Sequence, residues 1–159
     1  MKTLTTCLWF DGQALDAAKH YVKLFRGKLG DVSRYGEGSY GKPGTVMSAS
    51  FRVLGQPFLA LNGGPHFQLT PAVSFMVPCK DQKELDRVWK GLLRGGGKPQ
   101  QCGWITDGFG VTWQVLPENL QALIADPRAM QAMLKMVKLD IAALEAASGR
   151  KRTKKGAKR

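Results

Sequence analysis

Hydrophobic and polar residues alternate with the period of a β-strand in several short segments of the chain. In VMSASFRVL (46–54), every second residue is apolar and the positions between them are Ser48, Ser50 and Arg52. Successive side chains of a strand point to opposite sides, so this pattern predicts one apolar and one polar face. Residues 73–77 and 111–116 alternate in the same way, with Ser74 and Met76, and Thr112 and Gln114, facing away from the apolar positions. A sheet covered by helices on one side would gather the polar positions on the other.

Two segments have the 3.6-residue period of an amphipathic helix instead. The first follows Asp11, which can cap it, and is predicted to end at Gly27. The second begins at Asp81, which forms a D-x-x-E capping box with Glu84. Strands are predicted over residues 3–10, 29–35, 45–54 and 56–62 before the second helix, and over 71–77, 101–106 and 110–116 around it.

The two halves of the chain repeat one another in order and in local sequence. HYVKLF (20–25) falls on VWKGLL (88–93) at an offset of 68 residues, and the strands LWF and FMV fall at 67. The pattern predicts a duplicated βαβββ module, over about 3–62 and 70–116, within one α+β domain of residues 1–147. Residues 117–147 are predicted to form one or two helices that pack on the sheet or on a partner subunit. Pro117 and Pro127 suit first helical turns, and Asp126 suits a cap.

The net charge of the 159-residue chain is +12, but much of it lies at the C-terminus. Residues 148–159, SGRKRTKKGAKR, hold seven Lys and Arg and no acid, which leaves +5 for the rest. Such a basic tail is predicted to be disordered, and it can hold phosphate backbones weakly. No aromatic residue lies among its charges to stack on bases. We therefore favour a solvated tail and keep weak nucleic-acid contact as an alternative.

The remaining bulk features indicate a cytoplasmic protein. No apolar stretch approaches the roughly 20 residues of a membrane span, and the N-terminal segment lacks the apolar run and cleavage site of a signal peptide. The three cysteines, Cys7, Cys79 and Cys102, have no CxxC spacing. An odd, unclustered set favours buried thiols in a reducing compartment.

Two glycine-rich motifs are candidates for chemistry. GEGSYG (36–41) matches G-x-G-x-x-G, but Pro43, Gly44 and a strand pattern follow it where a cofactor site would need a helix. We interpret it as a hairpin loop. NGGPHF (62–67) has turn residues without the Lys or Ser/Thr of a phosphate loop. It is predicted to be a corner between strands, where Asn62 and His66 rim a pocket.

Few residues are available for metal ligation or nucleophilic catalysis. His20 and His66 are the only imidazoles, which nearly excludes a site of two or three histidines. No Ser-His-Asp arrangement is readable from the sequence. Arg52 on the polar face favours an anionic group, because its guanidinium pairs with carboxylate or phosphate. The bulk of Trp9, Phe58, Met76 and Trp104 suits the wall of a cavity.

Four segments together resemble a known family. CLWFDGQALDAAKHYVKLF, GQPFLALNGGPHF, CGWITDGFGVTWQVLP and KLDIAALEAA are similar to the PhnB-like branch of the vicinal oxygen chelate superfamily. That superfamily includes glyoxalase I, bleomycin resistance proteins and extradiol dioxygenases, and relatives of this branch often carry the label demethylubiquinone methyltransferase. The resemblance spans about residues 3–148.

The resemblance implies two βαβββ modules, usually paired into a dimer whose curved sheets enclose a pocket. Metal-dependent members place ligands at positions that fall near Cys7, Asn62, Ser74 and Gln114 here. Of these, Gln114 alone is a plausible metal ligand, and a weak one. Bleomycin resistance proteins share the fold and bind their ligand without metal.

The leading hypothesis is therefore a cytoplasmic homodimer, without metal or other cofactor, that binds a small anionic or aromatic molecule. The residues expected to line or rim its site are Trp9, Arg52, Asn62, His66, Ser74, Trp104 and Gln114. One alternative is an enzyme of the same fold that uses a metal held by Gln114, or His66 as an acid–base group. The other is nucleic-acid association through the tail.

Overall fold

The chain folds into two compact units, each built around a four-stranded sheet. The computed structural model describes residues 3–149, so the basic tail from residue 150 onward lies outside the described residues. The first unit contains the described residues as far as Val73 together with Phe109–Val111. The second contains Ser74–Gly108 and the chain from Thr112 onward. That residues 1–147 form one domain stays a prediction.

The first unit is a βαβββ module. Its elements are β1 (Thr6–Phe10), α1 (Ala14–Phe25), β2 (Lys28–Arg34), β3 (Val46–Val53) and β4 (Gln56–Asn62). The strand order is β1-β4-β3-β2, which we call sheet A. The β1–β4 pair is parallel and the other pairs are antiparallel.

The second unit repeats this arrangement. Its elements are β5 (Ser74–Cys79), α2 (Gln82–Leu93), β6 (Lys98–Pro99), β7 (Trp104–Thr106) and β8 (Thr112–Pro117), with a single 3-10 turn over Gln101–Gly103. The strand order of sheet B is β5-β8-β7-β6, again with the first and last strands parallel. The α+β class and the duplicated βαβββ module are thereby confirmed. The sequence pattern missed the short edge strand β6.

Each helix buries one face of its own sheet. Alanines 14, 17 and 18 of α1 are fully buried, and their small side chains let the helix lie close to β3 and β4. On the sheet, the Phe51 and Phe58 rings stack at 5.1 Å between centroids and form the core below. In the second unit, Leu85, Val88 and Leu92 of α2 are buried above the equivalent strands.

The cap of α2 is as predicted, but the start of α1 is not. Asp81 accepts a hydrogen bond from the Glu84 amide at 2.8 Å. By contrast, Asp11 does not cap α1, because the chain passes through Gly12 at φ 91° and the helix begins later, at Ala14. The side-chain oxygen of Asn62, at the end of β4, accepts a hydrogen bond from the Ala14 amide at 2.9 Å. Asn62 thereby caps the first turn of α1 from a distant part of the chain.

Three helices follow the second sheet, where one or two were predicted. They are α3 (Leu120–Ile124), α4 (Pro127–Leu134) and α5 (Ile141–Ala147). Asp126 caps α4 with Pro127 in its first turn, as expected, and Asp140 caps α5. The prediction for Pro117 is wrong: it is the last residue of β8, paired with Cys79, so the helices begin at Leu120. No helix within residues 3–149 is long and apolar enough to cross a membrane.

The segment that joins α4 to α5 is held against α2. The Gln82 amide donates to the Leu139 carbonyl at 3.1 Å and accepts from the Ile141 amide at 2.9 Å. Lys138 donates to the Asp86 carboxylate at 2.6 Å. Leu139 is fully buried between these contacts. This segment therefore anchors the C-terminal helices to the second unit.

Leu139→Ala should lower the free energy of unfolding by about 2–5 kcal/mol, because it leaves a cavity at a fully buried position. Val137→Ala is the matched control, since Val137 is 46% exposed in the same segment. Chemical denaturation measures both. Equal losses in the two variants would contradict the anchoring role of Leu139.

The contact between Asp86 and Lys138 should make stability depend on acid pH. The hydrogen bond from Lys138, followed by that from Gln82, holds the pKa of Asp86 below its usual value of 3.8. The contact therefore contributes to the free energy of unfolding above pH 3.8, and this contribution is lost as the pH falls through the lowered pKa. Asp86→Asn should cost less than about 1 kcal/mol at neutral pH, since the pair is half-exposed. The difference from the parent chain should vanish in acid denaturation series, and a difference that grows toward low pH would be the contrary result.

Candidate functional site

The face of sheet A that α1 leaves open carries several of the predicted site residues. Strand register places Trp9 of β1, Leu61 of β4 and Ser48 of β3 side by side in one row across the sheet. Arg52 lies further along β3 on the same face and is exposed. Trp9 is half-buried. The predicted separation from the buried residues of β3 is confirmed for Ser50 and Arg52, which are half-buried and exposed. Ser48 shares their face by register but is only 8% exposed, so the face is covered at that position.

The open face of sheet B brings together Ser74, Trp104 and Gln114. Gln114 of β8 lies directly opposite Met76 of β5 on one side and Trp104 of β7 on the other. Its side-chain amide donates to the Ser74 hydroxyl at 2.8 Å. Met76 is 59% exposed and Trp104 is half-buried. A thioether, an amide and an indole therefore form one accessible row.

Hydroxyl groups continue this face beside that row. The Thr106 and Thr112 hydroxyls are 3.2 Å apart, and the Gln100 amide donates to Thr106 at 2.7 Å. Thr112 is 1% exposed, so this part of the polar face is covered, unlike Met76. The buried Thr112 hydroxyl thus has a partner in the half-buried Thr106, and the neighbouring row around Gln114 stays accessible.

The corner NGGPHF packs on Trp9. The indole N–H donates to the Gly64 carbonyl at 2.8 Å, and the Phe67 ring meets the indole edge-on at 5.0 Å. Residue 63 must be glycine here, because a Cβ would lie 2.1 Å from a Trp9 ring carbon. The corner therefore fixes the orientation of the indole and leaves Phe67 67% exposed.

The two glycine-rich motifs contact each other. GEGSYG lies in the connection between β2 and β3, as predicted, and a strand follows it rather than a helix. The hydroxyl of Tyr40, within this connection, is 2.6 Å from Nε2 of His66 in the corner. The Tyr35 hydroxyl donates to the Asn62 carbonyl at the same place. Tyr40 was not foreseen, because nothing in the sequence links two loops 26 residues apart.

Asn62 lies on the buried side of sheet A, away from Trp9 and Arg52. Its side-chain oxygen binds the Ala14 amide, and its side-chain NH2 donates to the Val46 carbonyl at 3.0 Å. Only 9% of the residue is exposed. The side chain thus holds α1 and β3 to the end of β4. Asn62 was predicted to contact a ligand, but it does not lie with the other predicted site residues on either open face.

A groove of about 290 Å³ opens at the end of sheet A near Arg52. Its lining residues are Thr5, Lys28, Leu29, Gly30, Ser50, Phe51, Arg52, Pro57 and Phe58. Phe58, expected in a cavity wall, contributes to this groove while its ring stacks in the core. Lys28 was missed, because the eleven-residue connection between β2 and β3 hides the register that sets it opposite Arg52.

The side chains at the positions implied for metal ligands do not form a metal site. The Asn62 side-chain oxygen already accepts from the Ala14 amide, and Ser74 and Gln114 offer only neutral oxygens, which are weak metal ligands. Desolvation raises the pKa of the Cys7 thiol, which disfavours the thiolate that binds metals. Within residues 3–149, no three His, Cys, Asp or Glu side chains are grouped as a metal would require. The donor set therefore does not fit a resident metal ion.

Gly63→Ala should displace the Trp9 indole and break its hydrogen bond to Gly64, because the added methyl group overlaps the ring. We expect a shift of the Trp9 indole N–H signal in NMR spectra and a loss of about 1–3 kcal/mol of stability. Gly36→Ala is the control, since its Cβ meets nothing nearer than 3.8 Å. An unchanged indole signal in Gly63→Ala would contradict the packing.

Comparison with known proteins places this geometry in a family. A family model described as 3-demethylubiquinone-9 3-methyltransferase matches residues 2–116. The PhnB protein from Bacillus cereus is 34% identical, with a TM-score of 0.65 and coverage of 72% of this chain and 99% of that one. No curated protein sequence matches the chain.

Two further solved structures share the fold at lower identity. Protein PA1353 from Pseudomonas aeruginosa is 20% identical, with a TM-score of 0.61 and coverage of 74% and 98%. A mutant of the fosfomycin resistance protein FosX from Listeria monocytogenes, complexed with manganese(II) and 1S,2S-dihydroxypropylphosphonic acid, is 14% identical, with a TM-score of 0.51 and coverage of 74% and 93%. With its duplicated βαβββ modules and matching family model, the chain belongs to the PhnB-like 3-demethylubiquinone-9 3-methyltransferase family of the vicinal oxygen chelate superfamily.

Proposed function

We propose that this protein binds a small organic molecule on the open faces of its sheets and does so without a metal ion. The observation that carries the proposal is the row of Met76, Gln114 and Trp104 on sheet B. An accessible thioether and indole beside a hydrogen-bonded amide combine apolar surface with a placed polar group, as ligand sites do. The apolar groups would contact the body of the ligand and the amide would orient it.

Sheet A supports the same proposal with an independent set of residues. Trp9 and Leu61 lie side by side, with Leu59 and Cys7 paired in the next row on the same face. The corner at Gly63 and Gly64 holds the indole in one orientation. A ring held in place loses little conformational entropy when a ligand packs on it, which favours binding. Trp9, Arg52, Ser74, Trp104 and Gln114 are therefore the residues we propose for ligand contact.

His66 and Asn62 enter the proposal differently. The exposed His66 ring, held by Tyr40, is proposed to rim the site. Asn62 is proposed to act indirectly: its hydrogen bonds hold the end of β4 in place, and the NGGPHF corner begins there. His66 as an acid–base group stays the alternative for an enzyme of this fold.

Metal independence is proposed from the chemistry of the available donors. Manganese and similar ions prefer carboxylate and imidazole ligands. The groups on the open faces named above are hydroxyls, an amide, a thiol and a thioether, which bind such ions poorly. The FosX structure contains manganese(II), but its 14% identity supports a shared fold and no shared ligand set.

We do not extend to this chain the methyl transfer that the family description names. A nucleotide-type cofactor bound at a G-x-G-x-x-G motif needs the N-terminus of a following helix. The motif at residues 36–41 is instead followed by β3, and the Tyr35 ring packs against Gly41. The loop therefore serves to connect and brace strands.

The proposal includes a homodimer in the cytoplasm, on the strength of the resemblance and of the cysteine usage. Sedimentation of the purified chain measures whether it is a dimer. Weak nucleic-acid contact stays a prediction for the tail, of which residues 150–159 lie outside the described part of the chain.

The proposal predicts that chelator-treated protein still binds small molecules. A thermal-shift screen of small acids, phosphonates, quinone precursors and glycopeptide antibiotics should give hits that EDTA leaves unchanged. Met76→Ala and Trp104→Ala should weaken the best hit by about tenfold each, since each removes about 1–2 kcal/mol of apolar contact. Leu54→Ala, at a 58% exposed hairpin position, is the matched control.

Stoichiometric metal in the purified protein, or hits that disappear with EDTA and return with manganese, would overturn metal independence. Equal weakening by Leu54→Ala would overturn the placement of the ligand on sheet B.

A further inference from the structure

The groove at the end of sheet A contains two cations at positions that face each other. Lys28 of β2 is the register partner of Arg52 of β3. Side chains directly opposite on neighbouring antiparallel strands have Cβ atoms about 4.5–5.5 Å apart, and like charges there repel. Both residues line the same groove.

Within residues 3–149, neither Lys28 nor Arg52 forms an ion pair, and no carboxylate lines the groove. Arg52 donates one guanidinium N–H to the Gly55 carbonyl at 2.6 Å. That bond fixes the side chain and leaves the other N–H groups of its fork for an acceptor. The fold thus keeps two positive charges together without a protein counter-charge.

Glycine keeps the space next to these cations open. A Cβ on Gly30 would lie 2.4 Å from the Ser50 hydroxyl, so a side chain there would enter the groove. The Ser50 hydroxyl and Thr5 add neutral polar groups to the lining. Leu29, Pro57 and Phe58 add apolar surface beside them.

We propose that this groove binds the oxyanion end of an amphipathic organic acid, a carboxylate or a phosphate ester whose apolar body lies along Leu29 and Pro57. The oxygens of an oxyanion can accept hydrogen bonds from the Arg52 guanidinium and the Lys28 ammonium together. Its negative charge then offsets the repulsion between the two cations. The volume of about 290 Å³ suits a head group with a ring or short chain. This site rests on the proposed function and assigns to it a ligand class and a residue, Lys28, outside the expected set.

The test uses one ring with three head groups: benzoate, phenyl phosphate and benzyl alcohol, with inorganic phosphate as the anion without a body. The full-length ¹⁵N-labelled chain is titrated with each in EDTA, and the backbone amide shifts are followed. Benzoate or phenyl phosphate should shift the backbone amide signals of Lys28, Gly30, Ser50 and Arg52. Inorganic phosphate should bind more weakly and benzyl alcohol not measurably. The stronger of the two anions then identifies the head group.

Lys28→Gln and Arg52→Gln should each raise the Kd of the bound anion about tenfold, the value of one charge-assisted contact. Lys19→Gln removes the same charge from an exposed position of α1, outside the groove, and should leave the Kd unchanged. Lys28→Gln is the cleaner variant, because Arg52→Gln also breaks the bond to Gly55.

Four results overturn the proposal. Equal binding of benzyl alcohol, or no binding of either aromatic anion, shows that the groove does not select oxyanions. Equal weakening by Lys19→Gln shows a response to bulk charge. Tighter binding of a short DNA duplex than of phenyl phosphate at the same amides shows a nucleic-acid surface instead. None of these results affects the hits from the screen of EDTA-treated protein. The proposed function is therefore tested by that screen, and the groove by this titration.

Discussion

The structure depends on one packing constraint: α1 and α2 each bury one face of a four-stranded sheet. The apolar side chains of alternate positions meet the helix, and the intervening positions must then point the other way. Ala49 and Phe51 are buried under α1, whereas Ser50 and Arg52 are not. The accessible position of Arg52 on sheet A follows from this division. The duplicated module repeats it in the second sheet, where Met76 and Gln114 take the open positions.

The parts of the structure that depend on local pattern were predictable from the sequence. Strand alternation gave the face of Arg52 and of Gln114, and the cap at Asp81 marked the start of α2. The duplication predicted the order of elements, since each module must bury its helix in the same way. The resemblance to the PhnB-like branch agreed with that order, and the family comparison confirmed it.

The parts that depend on contacts distant in sequence were not predictable. Asn62 acts as an acceptor for a helix that begins 48 residues earlier, a contact that a local capping pattern around Asp11 does not reveal. The opposition of Lys28 and Arg52 requires the strand register, and the Tyr40–His66 contact requires two loops to meet. The third C-terminal helix, α5, begins at an additional cap, Asp140, which was not predicted.

The central claim is that small molecules bind where the sheets are open, without metal. The most direct measurement is a methyl NMR titration of chelator-treated protein with compounds that raise its melting temperature. The account predicts that the methyl signals of Leu59, Leu61 or Met76 on the open faces shift, while those of Val77 and Leu85 in the core do not. Shifts confined to core or helix methyl groups, or shifts that occur only after manganese is added, would contradict it.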